Sequence, residues 1–184
     1  MDKSDREERH RTRMKRKKEV VDKAIASADI ERGLLLVLTG NGKGKSSSAF
    51  GMIARALGHG MRVSVAQFIK GRSDTGEEAF FRLQNNVTWH VLGEGFTWET
   101  QNLARDTETA QRGWAVVKKM LQDPSQQLIV LDELTYPLKF GWLDMTTVLD
   151  DLKNRPVMQH VIITGRGAPE LLCQAADTVT VMHD

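Results

Sequence analysis

The chain is 184 residues long, 40% hydrophobic and 27% charged, with a formal net charge of +2 and a single cysteine. Length and composition fit one ordinary globular domain with a core of its own. No apolar run approaches the roughly 18–20 residues of a membrane span, no signal-peptide stretch opens the chain, and Cys173 has no partner for an internal disulfide, so a reducing, cytoplasmic setting is expected.

The small net charge hides an asymmetry. Residues 1–32 hold 11 Lys/Arg against 8 Asp/Glu, whereas residues 33–184 hold 15 against 16. The dense part is Arg9-His10-Arg11-Thr12-Arg13-Met14-Lys15-Arg16-Lys17-Lys18. Such a run can bind nucleic acid or an anionic ligand, but a solvated helix face is the simpler reading. With no Gly or Pro before Gly33 and few apolar residues, residues 1–32 are expected as a charged, mostly exposed helical segment, set apart from an α/β body over residues 33–184.

Leu34–Leu38 predicts the first strand of that body, and a helix is expected over Ser47–Leu57. Strand-like runs follow at Val63–Ile69, Val87–Leu92, Leu128–Leu131, Val161–Thr164 and Thr178–Met182. Helical spacing occupies Glu77–Leu83, Thr100–Gln122, Met145–Lys153 and Pro169–Ala176. Near-continuous apolar strands alternating with helices predict a mainly parallel sheet covered on both faces, a three-layer α/β domain. Gly58 and Gly60 read as helix C-cap positions and Pro169 as a first helical residue. Cys173, in the last helical segment, reads as a small core residue rather than a nucleophile.

Between the first strand and the first helix of the body stands Thr39-Gly40-Asn41-Gly42-Lys43-Gly44-Lys45-Ser46-Ser47. A glycine-rich turn from a strand into a helix gathers backbone N–H groups and the positive helix end around one point, which favours a phosphate. Lys45 adds a mobile positive charge, and the Ser46 hydroxyl can ligate Mg²⁺. Relative to the usual G-x-x-x-x-G-K-[ST] spacing, position 39 is Thr instead of Gly, which leaves phosphate binding in place and changes the expected pose of a triphosphate. The complementary acidic residue is expected at the end of another apolar strand, and Leu128-Ile129-Val130-Leu131-Asp132-Glu133 supplies it. Together the two motifs predict a Mg-nucleotide site without defining its reaction.

Arg166, in Thr164-Gly165-Arg166-Gly167 just past a predicted strand, reads either as a phosphate contact or as a surface arginine. His59, His90 and His160 lack metal-ligand spacing and are expected in structural roles. Nothing resembles a kinase's catalytic loop, which points to a nucleophile supplied from outside the protein. The loop Gly93-Glu94-Gly95-Phe96-Thr97-Trp98-Glu99-Thr100-Gln101-Asn102 follows a strand and shows two aromatics between glycines and polar residues. It either packs on a flat ligand or plugs back into the core, and its size and flatness favour the ligand.

The segments TGNGKGKSS, ARALGHG, VAQFIKG, GEGFTWETQN, IVLDELTY and VIITGRG, in this order and at these spacings, resemble the P-loop type of ATP:corrinoid adenosyltransferase over nearly the whole chain. The resemblance implies a P-loop NTPase-like (RecA-like) three-layer domain plus a charged N-terminal helix. It implies transfer of the 5′-deoxyadenosyl group of ATP to the Co(I) ion of a reduced corrinoid, with release of triphosphate. Cobalt is then the nucleophile, and the phosphate loop holds a leaving group, with ATP lying in a reversed sense along it. Carried over to this chain, Gly40, Asn41, Gly42, Lys43, Gly44, Lys45 and Ser46 bind the triphosphate, with Lys45 on its oxygens and Ser46 on the Mg²⁺ ion; Glu133 matches the family's acidic metal ligand, with Asp132 beside it in support, and Arg166 stays a candidate phosphate contact. Phe96 and Trp98 match the aromatics that displace the corrinoid's lower axial ligand, so that Co(II) becomes reducible. A flavodoxin-like reductant, a homodimer and an N-terminal helix covering the corrinoid are further implications.

Three other readings compete. A small P-loop ATPase or kinase would cleave ATP to ADP. A RecA-like nucleic-acid-binding ATPase would need a basic path in the body, and residues 33–184 are slightly acidic, so no nucleic-acid partner is expected. Family members continue past the last strand into a tail with a Lys-x-His element and a Gly-Ile-Asp-like end, whereas this sequence ends in TVTVMHD. A corrinoid or nucleotide carrier is the reading if that tail is needed for turnover.

Overall fold

A computed structural model describes residues 3–69, 75–93 and 103–184. The chain divides into two units, Met1–Glu31 and Arg32–Asp184. In the first, helix α1 (Lys3–Ala26) is exposed along its described length, as its lack of an apolar stripe dictates. An i,i+4 ion pair, Lys18 to Asp22 at 2.5 Å, lies on its surface.

The second unit is built on six parallel strands: β1 (Leu35–Thr39), β2 (Val63–Gln67), β3 (Val87–Val91), β4 (Leu128–Asp132), β5 (His160–Thr164) and β6 (Thr178–Val181). Their spatial order is β3-β2-β4-β5-β1-β6. β2 and β4 are buried at all five positions, whereas the edge strand β6, with its alternating threonines, is exposed at all four. This gradient is why the inner strands read as unbroken apolar runs. The helices are α2 (Lys45–Gly58), α3 (Gly76–Arg82), α4 (Leu103–Gln122), α5 (Thr135–Lys139), α6 (Met145–Lys153) and α7 (Glu170–Ala175).

Two apolar clusters show the three layers. On one face Ala49, Phe50, Ile53 and Ala56 of α2 and Phe81 of α3 pack on Val63, Val65, Trp89, Val130 and Ile162. On the other, Trp114, Val117 and Leu121 of α4, Val148 and Leu152 of α6 and Leu172 of α7 pack on Val37, Ile129, Leu131 and Ile163. Each fully buried branched side chain contributes about 1.5–3 kcal/mol relative to exposure. The expected α/β class is what the sheet and its two covering layers show.

Some local expectations are corrected. α2 runs through Gly58 and is capped by His59, and Gly60 alone takes the left-handed conformation, with φ of 74°. Pro169 has ψ of 146° and is the N-cap of α7, one residue before the predicted position. Cys173 is half-buried rather than in the core, and burial, followed by the nearby Glu170, raises its thiol's pKa. The short helix α5 carries no periodic signal, because Pro137 interrupts a five-residue segment.

Candidate active site

Because all six strands run the same way, their C-terminal ends and the loops that leave them collect along one edge of the sheet. A cleft of about 380 Å³ opens there, lined by Lys43, Gly44, Lys45, Ser46, Ser47, Glu133, Tyr136, Thr164, Gly165 and Arg166. Three of these are cations and one is the first residue of α2, a setting that attracts an anion.

The phosphate loop owes its shape to its glycines. Gly44 caps α2 with φ of 103°, a conformation open to glycine and strained for other residues. Gly42 lies against the chain after β6: a Cβ there would stand 2.2 Å from the His183 carbonyl oxygen. The Gly42 amide donates to the Met182 carbonyl at 2.9 Å, and the Met182 amide donates to the Thr39 carbonyl at 2.8 Å. Thr39, the residue standing where the usual pattern has glycine, donates nothing to the cleft; its Oγ1 accepts from the Ala168 amide at 3.1 Å. Gly40 and Asn41 face a separate depression shared with Gly167, Ala168 and Val181–Asp184, so the loop's two halves look to different sides.

Beneath the loop is Asp132, the last residue of β4, with no exposed surface. Its Oδ1 accepts from Ser46 Oγ and from Thr164 Oγ1, each at 2.7 Å, and its Oδ2 accepts from Gln67 Nε2 at 3.0 Å. A buried carboxylate is sustained by donors on each side. Since Ser46 commits its proton to Asp132, its lone pairs remain for a cation in the cleft. Asp132 itself does not line the cleft and meets it through its hydrogen bond with Ser46.

Glu133 is the non-glycine residue with positive φ, 63°, among the described residues. Such a conformation costs on the order of 1–3 kcal/mol, and its neighbours maintain it: the Glu133 amide donates to Thr164 Oγ1 at 3.0 Å. The turn brings Glu133 into the cleft wall while Asp132 stays beneath it. Gly165, with φ of 142°, permits the close approach of Thr135, whose Oγ1 donates to the Arg166 carbonyl at 3.0 Å and so fixes the turn that carries Arg166. Arg166 is exposed and lines the cleft.

Lys45 donates to the Gly42 carbonyl across its own loop. Burial, then the charge of Arg166, hold its ammonium below the ordinary lysine range; Lys43 adds to this, and Asp184 and Glu133 oppose it. The cleft lining carries three cations against the one carboxylate of Glu133, a balance that favours an anion.

Of the residues singled out from the sequence, Lys43, Gly44, Lys45, Ser46, Glu133 and Arg166 meet in one cleft, with Gly42 and Asp132 supporting it. Phe96 and Trp98 lie outside the described residues. Thr164, Tyr136 and Gln67 carry no site expectation in the sequence; Thr164 is a polar residue ending the run Val161–Thr164, and Gln67 a polar residue inside the run Val63–Ile69. His160 sits at the opposite end of the sheet, where its Nδ1 accepts from the Leu34 amide at 3.1 Å.

The fold resembles that of flagellar accessory protein FlaH from Methanocaldococcus jannaschii, with a TM-score of 0.52 and 13% identity, over 84% of this chain and 73% of that one. The corrinoid adenosyltransferase of Pseudomonas aeruginosa is 60% identical over 179 residues, covering 97% of this chain and 88% of that protein. Corrinoid adenosyltransferase CobA of Salmonella typhimurium is 45% identical over 177 residues, covering 96% and 90%. Residues 1–25 match the family described as Cob(I)alamin adenosyltransferase N terminal. Residues 31–184 match the family described as ATP:corrinoid adenosyltransferase BtuR/CobO/CobP, and with a cleft at the glycine-rich loop assembled within that span, the chain belongs to this family of ATP:corrinoid adenosyltransferases.

Proposed function

We propose that the protein transfers the 5′-deoxyadenosyl group of ATP to the Co(I) ion of a reduced corrinoid, with the cleft between the phosphate loop, β4 and β5 seating the triphosphate. Cobalt(I) donates its electron pair to C5′, the Co–C bond forms, and the C5′–O bond breaks with its electrons passing to the leaving triphosphate. The observation that carries this reading is the convergence of Lys43, Lys45 and Arg166 on the start of α2, in a chain related to corrinoid adenosyltransferases over almost its whole length.

These groups act on the leaving group. Negative charge grows on the triphosphate oxygen as C5′ departs, and the cations and loop amides around it lower the barrier by matching that charge. The braced loop also holds C5′ on line for attack, an orientational contribution. No protein base is needed, because the nucleophile carries no proton to remove.

A Mg²⁺ ion is part of the proposal. The donors present fit it: hydroxyl and carboxylate oxygens, few in number, suit an ion that keeps water and phosphate oxygens as its other ligands. Ser46 would hold the ion, with Glu133 at the cleft wall and Asp132 fixing Ser46 from beneath. When bound, it would supply positive charge against the triphosphate.

Phe96 and Trp98 are proposed to displace the corrinoid's lower axial ligand, so that a flavodoxin-like reductant can convert Co(II) to Co(I). A homodimer, a cytoplasmic setting and a cover formed by residues 1–32 belong to the same reading. No described helix is long and apolar enough to cross a membrane. The rival ATPase or kinase reading is not favoured by the relatives named above. Lys45→Ala tests the seat of the triphosphate: transfer is lost while corrinoid binding is retained, and unchanged turnover would remove the phosphate-loop assignment.

A further inference from the structure

Gln67, the last residue of β2, is 1% exposed and lies outside the cleft lining. It stands level with Asp132 in the β2–β4 register, so the two side chains rise from the same face of the sheet, the face covered by α2. Gln67 Nε2 donates to Asp132 Oδ2 at 3.0 Å, and Gln67 Oε1 accepts from Trp89 Nε1 at 3.0 Å. The amide has one satisfying orientation, because an indole N–H only donates and so takes the amide oxygen, leaving the amide nitrogen for Asp132. Trp89 is itself locked, stacked on Phe81 at 6.1 Å between ring centroids and packed on Phe50 at 5.4 Å. A hydrogen-bonded line thus runs from Trp89 through Gln67 and Asp132 to Ser46.

We propose that Gln67 is a positioning residue for the divalent cation that accompanies ATP. By holding Oδ2, it fixes the rotation of the Asp132 carboxylate and leaves Oδ1 for Ser46 and Thr164. A carboxylate's terminal torsion is soft, so losing that donor loosens the acceptor offered to Ser46 even with Thr164 still on Oδ1. The Ser46 proton would then be less firmly directed, and with it the lone pairs aimed at the cation. Trp89 sets the direction of the Gln67 amide. The inference rests on the reading of Ser46 as a cation ligand given above.

The backbone of Gln67 serves a separate purpose that provides an internal control. Its carbonyl accepts from the Leu92 amide at 2.8 Å and the Gly93 amide at 3.3 Å, just ahead of the segment containing Phe96 and Trp98. A side-chain substitution leaves these bonds possible, so the path toward the segment containing Phe96 and Trp98 does not depend on the Gln67 amide.

The test is calorimetric titration of the full chain with ATP across a series of Mg²⁺ concentrations and in chelator. It is run on the parent, Gln67→Met, Trp89→Phe and Ser46→Ala, with KM for the corrinoid and thermal unfolding measured alongside. Gln67→Met raises the Mg²⁺ requirement for tight ATP binding about tenfold, the lower end for residues that orient a metal's ligands. Chelated ATP binding and the corrinoid KM stay at parent values, and Trp89→Phe shifts the Mg²⁺ requirement in the same direction. A parental Mg²⁺ dependence in Gln67→Met, or equal losses in chelated ATP binding and corrinoid KM, overturns the proposal. If Gln67→Met does not fold, Trp89→Phe takes its place: a raised Mg²⁺ requirement supports the proposal and a parental one overturns it. Ser46→Ala separates the layers of inference. A raised Mg²⁺ requirement there with none in Gln67→Met sinks the Gln67 role alone; an unmoved requirement in Ser46→Ala sinks the cation site and the Gln67 role with it.

Discussion

The amide of Gly42 donates to the carbonyl of Met182 at 2.9 Å, pinning the middle of the phosphate loop to the residue that follows β6. The approach depends on a missing side chain, since a Cβ on Gly42 would stand 2.2 Å from the His183 carbonyl oxygen and 2.7 Å from its carbon. Backbone, not a flexible side chain, would have to move. Gly42→Ala is therefore expected to lose ATP affinity and lower the midpoint of thermal unfolding. Gly51→Ala, in α2 with open space around it, provides the contrast: it is expected to stabilise by about 0.5–1 kcal/mol with ATP affinity unchanged. Calorimetry and thermal melts on both variants check the pair, and parental ATP affinity in Gly42→Ala would contradict the bracing described here.

Thr164→Val preserves shape but removes a hydroxyl that donates to Asp132 and accepts from the Glu133 amide. The buried carboxylate loses one donor and a backbone N–H in a left-handed turn loses its acceptor. A loss of about 1–3 kcal/mol in denaturant unfolding is expected, together with weaker ATP binding. A stability equal to the parent's would contradict the part given to these two hydrogen bonds.

The strands, the two covering layers and the identity of the phosphate loop were legible because apolar runs and glycines are local signals. Leu128–Leu131 stood out as a strand since β4 is buried on both faces, and Gly44-Lys45-Ser46 announced a helix start. What stayed hidden is what depends on register. Nothing local says that Gln67 and Asp132 stand opposite one another, or that Thr164 reaches both Asp132 and Glu133. The resemblance implies Glu133 as the acidic metal ligand with Asp132 in support, but the turn that parts them, with φ of 63° at Glu133, has no local signal. The contact of Gly42 with Met182 joins residues far apart in sequence, and no spacing within the loop predicts it.

The lowered pKa of Lys45 gives ATP binding a pH dependence. Burial, first, and then Arg166 disfavour its charged form in the free protein, whereas a bound triphosphate favours it. At pH values above the lowered pKa binding thus takes up a proton, and affinity falls as pH rises through that value toward the ordinary lysine range. Stability of the free protein responds with the opposite sign: a lysine whose folded pKa is lowered penalises the fold while charged, and the penalty lifts as pH rises. Calorimetry in buffers of different ionisation enthalpy reports the proton directly. In Lys45→Met the proton uptake should vanish, and its persistence would assign the effect to another group.

Replacing Phe96 and Trp98 together with Ala separates reduction from transfer. Activity starting from Co(II) with a flavodoxin-like reductant should fall far more than activity starting from chemically supplied Co(I). Equal losses from both starting points would count against the axial-ligand role.

The most direct test of the central claim is an anaerobic reaction of the full chain with Mg-ATP and chemically reduced cobalamin, following the Co(I) absorbance and identifying the phosphate product. The account predicts adenosylcobalamin and intact triphosphate in equal amounts. ADP and inorganic phosphate beside unalkylated cobalamin would contradict it.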